Sequence, residues 1–433
     1  MTKIENLAIG SPKRARGHGD GWEGFFPYYA GFPAEFAKNL ISSAELGRDD
    51  VILDPWNGSG TTSYAAALCG RSAIGIDINP VMVIVARARL LGSSEADTLV
   101  PLGQRVLYEA RANRQIDKSD PLLTWFRPLT AAILRGIERS IRAHLVGALT
   151  ITPKGARLDH LSGLAATNYV ALFSVARSLA QGFRTSNPTW LRKPKAGEAR
   201  VGANASEIEA LFEQRLRSMS AALTLAETGH WRNDAEIRLG DSTSAIISGG
   251  RADLVLTSPP YCTRIDYTSA TRIELALLQP LQTHNTDSLR RKMAGSPLVP
   301  LEAISERAEW GRTCLSFLES VREHRSRASS GYYYKTHVDY FDKIYRSLGR
   351  VSSALSHSGV AVLVAQDSFY KEIRNDLSTI LSEMSERQGM ALERREDFAV
   401  RTMASINPGS IKYRSESKAF ESVLCFRKVR GDN

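Results

Sequence analysis

A strand-turn-helix pattern that repeats from Val51 constrains this chain more than any other feature. Val51-Ile52-Leu53 is a short apolar run ending at Asp54-Pro55, followed by Trp56-Asn57-Gly58-Ser59-Gly60 and then Thr61 to Cys69, helical in composition. The pattern recurs at once. Ser72-Ala73-Ile74-Gly75-Ile76 reads as a second strand with Asp77 at its end, and Val81 to Leu90 as a helix following Pro80. Two such units in succession predict parallel strands with helical crossovers, an α/β sheet covered by helices on both faces.

The same pattern returns late in the chain. Ile237-Arg238-Leu239-Gly240-Asp241 and Ala252-Asp253-Leu254-Val255-Leu256 read as strands, and a helix from Tyr334 to Leu348 feeds Gly359 to Val364, an apolar run of fully buried type. A helix over Leu381 to Leu392, then Asp397 to Val400 and Ser422 to Phe426, form an expected antiparallel closing portion. The expectation is a seven-stranded, Rossmann-like sheet in pieces. Residues 1–24 read as a flexible arm, 25–100 as the first part of the core, and 101–235 as a mainly helical insertion with helices at Leu129 to Leu145 and Ala165 to Leu179. Residues 236–280 resume the core, 281–333 form a second insertion of unreadable fold, and 334–433 complete the sheet.

Composition narrows the class further. With 433 residues, 43% hydrophobic and 24% charged, the chain can bury a large core, and length alone suggests about three domains. The 56 Lys and Arg against 46 Asp and Glu leave +10, a bias toward a polyanionic partner. Cys69, Cys262, Cys314 and Cys425 include no C-x-x-C pair, so a reduced, cytoplasmic setting is expected. No apolar run reaches membrane-spanning length and the N-terminus has no export-signal pattern, so no membrane partner is expected. His324 and His337 have no metal-ligand spacing, and no metal is expected.

Two loops carry the chemistry. The Gly58-Ser59-Gly60 turn lets a ligand approach backbone amides closely, but the Gly-Lys-Ser/Thr ending of a phosphate loop is absent. Asp77, at the next strand end, is placed to accept from ribose hydroxyls, leaving a dinucleotide or another adenosine-containing cofactor open. The second loop, Ser258-Pro259-Pro260-Tyr261, follows a buried strand. Its two prolines stiffen a lip of acceptors, Ser258 Oγ and the Pro259 carbonyl, that could take hydrogens from an exocyclic amine while Tyr261 stacks on a planar base.

Together the Asp54 to Thr62 loop and the Ser-Pro-Pro-Tyr tetrad resemble the S-adenosylmethionine-dependent DNA amino-methyltransferases. The resemblance extends to Phe26-Pro27 and Phe32-Pro33-Ala34-Glu35-Phe36 before the first strand, and to Gly240-Asp241-Ser242. It covers about half the chain, mainly residues 25–90 and 236–280. It implies S-adenosyl-L-methionine as cofactor, held by Phe26, Phe32, Asp54, Trp56, Gly58, Ser59, Gly60, Thr61, Thr62, Asp77 and Asp241, with Ser258, Pro259, Pro260 and Tyr261 catalytic. A tetrad opening with Ser is more like the cytosine-N4 branch than the adenine-N6 branch, with transfer to a flipped base in double-stranded DNA. A companion restriction nuclease and a nucleoid-associated location would follow from that reading. Cys262 lacks the Pro-Cys arrangement of cytosine-C5 chemistry.

The basic segment Phe183 to Lys195, with Arg184, Asn187, Trp190, Arg192 and Lys193, is the foremost DNA-binding candidate; a solvated loop is its plain alternative. Arg290-Arg291-Lys292 and Arg322, Arg325 and Arg327 are lesser ones. Arg264, Asp266, Tyr267, Arg272 and Glu274 could organise the pocket or form surface ion pairs. RNA methylation and a catalytically silent DNA-binding subunit are the further alternatives, and oligomeric state is left open.

Overall fold

The computed structural model describes residues 2–13, 25–26, 31–147, 151–152, 155–185, 190–225, 231, 234–245, 247, 250–262, 266–282, 286–400 and 419–429. Seven strands form one sheet: β1 (Val51–Asp54), β2 (Ser72–Asp77), β3 (Ala235–Leu239), β4 (Ala252–Thr257), β5 (Leu355–Gln366), β6 (Met390–Val400) and β7 (Ala419–Lys428). Their spatial order is β6-β7-β5-β4-β1-β2-β3. The pairs from β3 to β5 are parallel, and β7 runs antiparallel to both β5 and β6. This mixed sheet with flanking helices and a large helical insertion is a Rossmann-like methyltransferase fold, as the strand pattern predicts.

Alternation along the strands splits the core into two faces. Ile52, Leu254, Leu256, Val360, Val362 and Val423 pack under α1 (Ala34–Ser43) and α2 (Thr61–Leu68). Leu53, Val255, Ala361, Leu363 and Leu424 point the other way, toward α11 (Arg312–Glu323), α12 (Tyr334–Ala354) and α13 (Leu377–Arg387). A third cluster joins α3 (Pro80–Arg89) to the insertion helices α4 (Leu99–Ala110), α5 (Pro128–Leu145), α6 (Gly163–Leu179) and α7 (Ala205–Leu225), and to α9 (Arg272–Leu277), which follows the short α8 (Tyr267–Ala270). The insertion is therefore continuous with the core of the molecule.

Two expectations need correction, and a third region gains detail. Residues 2–7 do not trail from the sheet: Ile4 and Leu7 are buried, Thr2 Oγ1 donates to Ala44 O at 2.7 Å, and Arg394 Nη1 donates to the carbonyls of Ile4 and Leu7. Arg14, Arg16 and His18 lie outside the described residues. The helix expected over Leu381 to Leu392 ends earlier, because Gly389 at φ +77° turns the chain straight into the long strand β6. The second insertion has definite structure, with α10 (Thr286–Lys292), α11 and a π-helical turn at Ser329–Tyr333 that leads into α12.

Candidate active site

After β2 and β3 extend the sheet on one side of β1, β4 returns to the other side, so the strand order reverses beside β1. In open α/β sheets that switch point opens a crevice at the carboxyl ends of the strands. Here the crevice encloses about 1020 Å³, open solvent at its mouth included, and both chemistry-bearing loops line it.

The cofactor side is built from one short stretch of chain. Asp54, at the end of β1, is 4% exposed; Thr257 Oγ1 donates to its Oδ1 at 2.5 Å and the Trp56 amide at 3.1 Å. Burial pushes this carboxyl up to about 6 against those hydrogen bonds. Asp77 ends β2 and takes the Asn79 amide on Oδ1 and the Gly58 amide on Oδ2, both at 2.8 Å; burial raises it to about 6 as well. Gly60, at φ +80°, closes the turn, and a Cβ there would lie 2.7 Å from that of Ala86. Asn57 received no role from the sequence, yet its amide donates to Ile76 O and its Oδ1 accepts from Ser63 Oγ at 2.7 Å. A Cβ on Gly75 would strike the Asn57 side chain at 2.5 Å, so the glycine in the middle of β2 makes room for the loop's anchor.

This geometry bears on the ligand. The Gly58 amide, which a phosphate loop would aim at an anion, is spent on Asp77. Asp54, Asp77 and Asp241 all line the crevice. An acidic lining fits S-adenosylmethionine, with its cationic sulfonium and ammonium groups, and suits a pyrophosphate poorly. Two of the roughly four acceptor positions on Asp77 remain for a diol after the two amides.

Phe32, Trp56, Gly58, Ser59 and Thr61 line the crevice beside the acids, whereas Gly60 and Thr62 sit behind the lining. Thr62 Oγ1 donates to Leu256 O at 3.1 Å, tying α2 to β4. Phe26 is placed differently. It lies outside the lining, buried against the edge of Phe173 with the Arg177 guanidinium 5.1 Å over its ring, so its apolar surface is spent on the insertion.

The wall that carries Ser258 to Tyr261, the candidate base side, is assembled from distant residues. Ser258, Pro259, Pro260 and Tyr261 line the same crevice as the acids. The Pro260 carbonyl accepts from the buried Tyr340 hydroxyl of α12 at 2.8 Å, and the Tyr261 amide donates to the Tyr267 hydroxyl at 3.1 Å. Burial holds both phenols well above their ordinary range, so they stay neutral. Lys292, Met293 and Ala294 close the crevice from the second insertion, and Lys343 Nζ bonds Arg291 O, Met293 O and Asp339 Oδ2 to fix that segment on α12. Tyr267 is among the residues that the sequence offers as organisers of the pocket, whereas no local motif announces Tyr340 or Lys343.

Behind the catalytic loop, the first insertion grips α8 and α9. Arg177 of α6 pairs with Glu274, which is fully buried, and donates to Ala270 O. Arg135 of α5 is 2% exposed and donates to Ala276 O at 2.9 Å and Leu277 O at 2.7 Å, capping α9, while Asp120 and Glu138 balance its charge. Glu274 is thus in a buried pair, not the surface pair weighed from sequence. Asn79 Nδ2, beside Asp77, reaches Thr271 Oγ1 at 3.0 Å and links the cofactor side to the same helix.

The sequence's DNA candidates fare unequally. Residues 183–185 and 190–192 pair antiparallel, with Thr185 N bonded to Trp190 O and Arg192 N to Phe183 O. The Arg192 guanidinium is spent on Glu198 at 2.6 and 2.7 Å, Arg184 and Lys193 are exposed, and Asn187 lies outside the described residues. In the second cluster Arg290 pairs with Asp266 and Arg291 bonds Val299 O, so Lys292 alone of the three reaches the crevice. Among the described residues no group of three or more potential metal ligands occurs, and no helix is long and apolar enough to cross a membrane.

Comparison with known proteins bears on the cofactor side. A model of the DNA methylase family of N6/N4 methyltransferases matches residues 7–87. A stretch of 54 residues is 50% identical to the Type II methyltransferase M.BsoBI of Geobacillus stearothermophilus, covering 12% of this chain and 11% of that protein. The family match spans α1 through most of α3, including Asp54, the glycine turn and Asp77. The family likeness is confined to the cofactor side of the crevice, where the acidic lining fits S-adenosylmethionine, the cofactor that such a likeness implies.

Proposed function

We propose that this chain transfers the methyl group of S-adenosylmethionine to the exocyclic N4 amine of a cytosine in double-stranded DNA. The observation that carries this reading is the shared crevice, with Ser258 to Tyr261 lining the wall beside Asp54, Asp77 and Asp241. Bound there, the cofactor supplies an electrophilic methyl carbon on a sulfonium leaving group. Asp54 with Gly58, Ser59 and Thr61 of the loop that Gly60 and Thr62 shape would surround its amino-acid end, Asp77 would accept from the ribose hydroxyls, Asp241 would approach the adenine amine, and Phe32 and Trp56 would complete the wall.

Tyr261 stacks on a base extruded from the duplex. With the Pro260 carbonyl occupied by Tyr340, the Pro259 carbonyl and Ser258 Oγ are left to accept the amine hydrogens. Those two bonds aim the nitrogen lone pair and favour the positive charge that develops on nitrogen during attack. The proton then leaves to solvent, so Ser258 need not be a strong base. The serine-first tetrad supports cytosine; adenine N6 is the second reading, since the family match spans both chemistries. A companion nuclease would make the modification protective.

Nucleoside mass spectrometry after incubation with labelled S-adenosylmethionine and unmethylated DNA tests the proposal. N4-methylcytosine is expected. N6-methyladenine would move the assignment to the second reading, and label in RNA alone would reject both.

A further inference from the structure

A second basic surface, apart from the cations near Arg184 and Lys193, flanks the N-terminal end of α12. Helix α12 precedes β5, a strand parallel to β4, so the helix runs against the strands and its N-terminus lies at their carboxyl ends, where the crevice opens. Tyr340, seven residues into this helix from Tyr333, bonds the catalytic loop at Pro260 O. At 1.5 Å per residue, Tyr333 lies about 10 Å along the helix from that contact. Arg325, Arg327 and Lys335 flank this end of the helix, all three exposed. None of the three has an ion pair among the described residues, in contrast to Arg192 with Glu198.

The platform beneath these cations is held in place. Ser326 and Ser329 bond the Tyr370 hydroxyl at 2.9 and 2.6 Å, and His324 bridges Ser326 and Glu372. Tyr333 packs on Tyr370 and Tyr332, and the Tyr332 hydroxyl donates to Pro297 O, three residues beyond the crevice-lining Ala294. Ser368 Oγ donates to the carbonyl of Cys262, next to Tyr261. A backbone held this firmly gives up little further freedom when the cations it carries meet a phosphate.

We propose that Arg325, Arg327 and Lys335, on the tyrosine platform at the N-terminal end of α12, bind the phosphates of the duplex next to the target base. This rests on the reading of the crevice as a DNA methyltransferase site and assigns that site its DNA-entry side. A duplex that delivers a base to Tyr261 would extend its backbone past the catalytic loop toward the end of α12 that Tyr340 ties to Pro260. Cofactor and DNA then approach from opposite flanks of the catalytic loop.

The test measures DNA affinity against salt concentration for the full chain. The triple variant R325A/R327A/K335A is compared with the double variant R184A/K193A, alongside thermal melting and cofactor titration. Each lost phosphate contact should flatten the plot of log affinity against log salt by about 0.9. The triple variant should therefore lose about 2.7 in slope and bind DNA at least about tenfold more weakly, with melting and cofactor affinity unchanged. Transfer at saturating DNA should persist, with a raised KM for DNA. An unchanged slope and affinity in the triple variant, or the whole loss in the double variant, overturns the proposal. Wild-type protein that binds cofactor but neither binds nor methylates DNA overturns the underlying reading, and the assignment of these cations with it.

Discussion

The two sides of the crevice are built by opposite strategies. The cofactor side is written in consecutive residues: Asp54 to Asn79 supply two strand ends, one glycine turn and nearly every hydrogen bond that shapes it. The base side borrows its geometry from afar. Pro260 is held by a tyrosine 80 residues on, and α8 and α9 by arginines more than 90 positions earlier. A loop fixed by its own sequence is legible alone and tolerates little internal change. A loop fixed by remote partners can be impaired from places that touch no ligand.

The largest expected effect tests the remote support. In Arg177→Met, Glu274 would be left buried without its partner, which costs about 3–5 kcal/mol. Chemical denaturation should register that loss, and pairing the change with Glu274→Leu should recover most of it. A single variant as stable as wild type would show that the insertion does not brace the catalytic side. On the cofactor side, Gly75→Ala drives a methyl into Asn57, and overpacking of this kind costs about 1–3 kcal/mol. Cofactor affinity should fall with it; unaltered affinity would remove Asn57 from its anchoring role.

Tyr340→Phe is a subtler probe, since it deletes one hydrogen bond to the catalytic loop. A loss of about 1 kcal/mol corresponds to roughly fivefold slower transfer, with cofactor affinity preserved. Equal loss in both would merge the two sides into one unit.

The smallest effect is a pH response of opposite sign in two measurements. Asp54 and Asp77 titrate near 6 in the folded protein against an ordinary 3.8, so the cofactor-free fold holds protons that the unfolded chain releases. Their contribution to stability is full below about pH 4 and lost as pH rises through about 6. Cofactor-free protein should therefore melt higher at pH 5 than at pH 7 as far as these groups decide it, while affinity for the cationic cofactor falls over the same interval. Asp54→Asn should flatten the melting difference, and an unchanged difference would remove Asp54 as its source.

The same contrast explains what could be read in the sequence. Strand alternation and βα repetition announced the sheet, because each core face needs every second residue apolar, as at Leu254 and Leu256 against Val255. Asp54, Asp77 and the glycine turn were legible since backbone geometry demands those residues locally. The packing of Phe26 is not legible, because only the folded insertion brings Phe173 and Arg177 against it. Tyr340 and Arg135 look like any helical residues until the helices are packed. Likewise, Glu198 neutralises Arg192 across a turn that a run of basic letters does not reveal.

The most direct test of a divided crevice is Tyr261→Ala, assayed by cofactor titration and by single-turnover methyl transfer to DNA on one preparation. Wild-type cofactor affinity with transfer slowed about a hundredfold or more is the predicted result, because the proposed function has Tyr261 serve the base alone. Equal loss of both, or transfer at the wild-type rate, would contradict it.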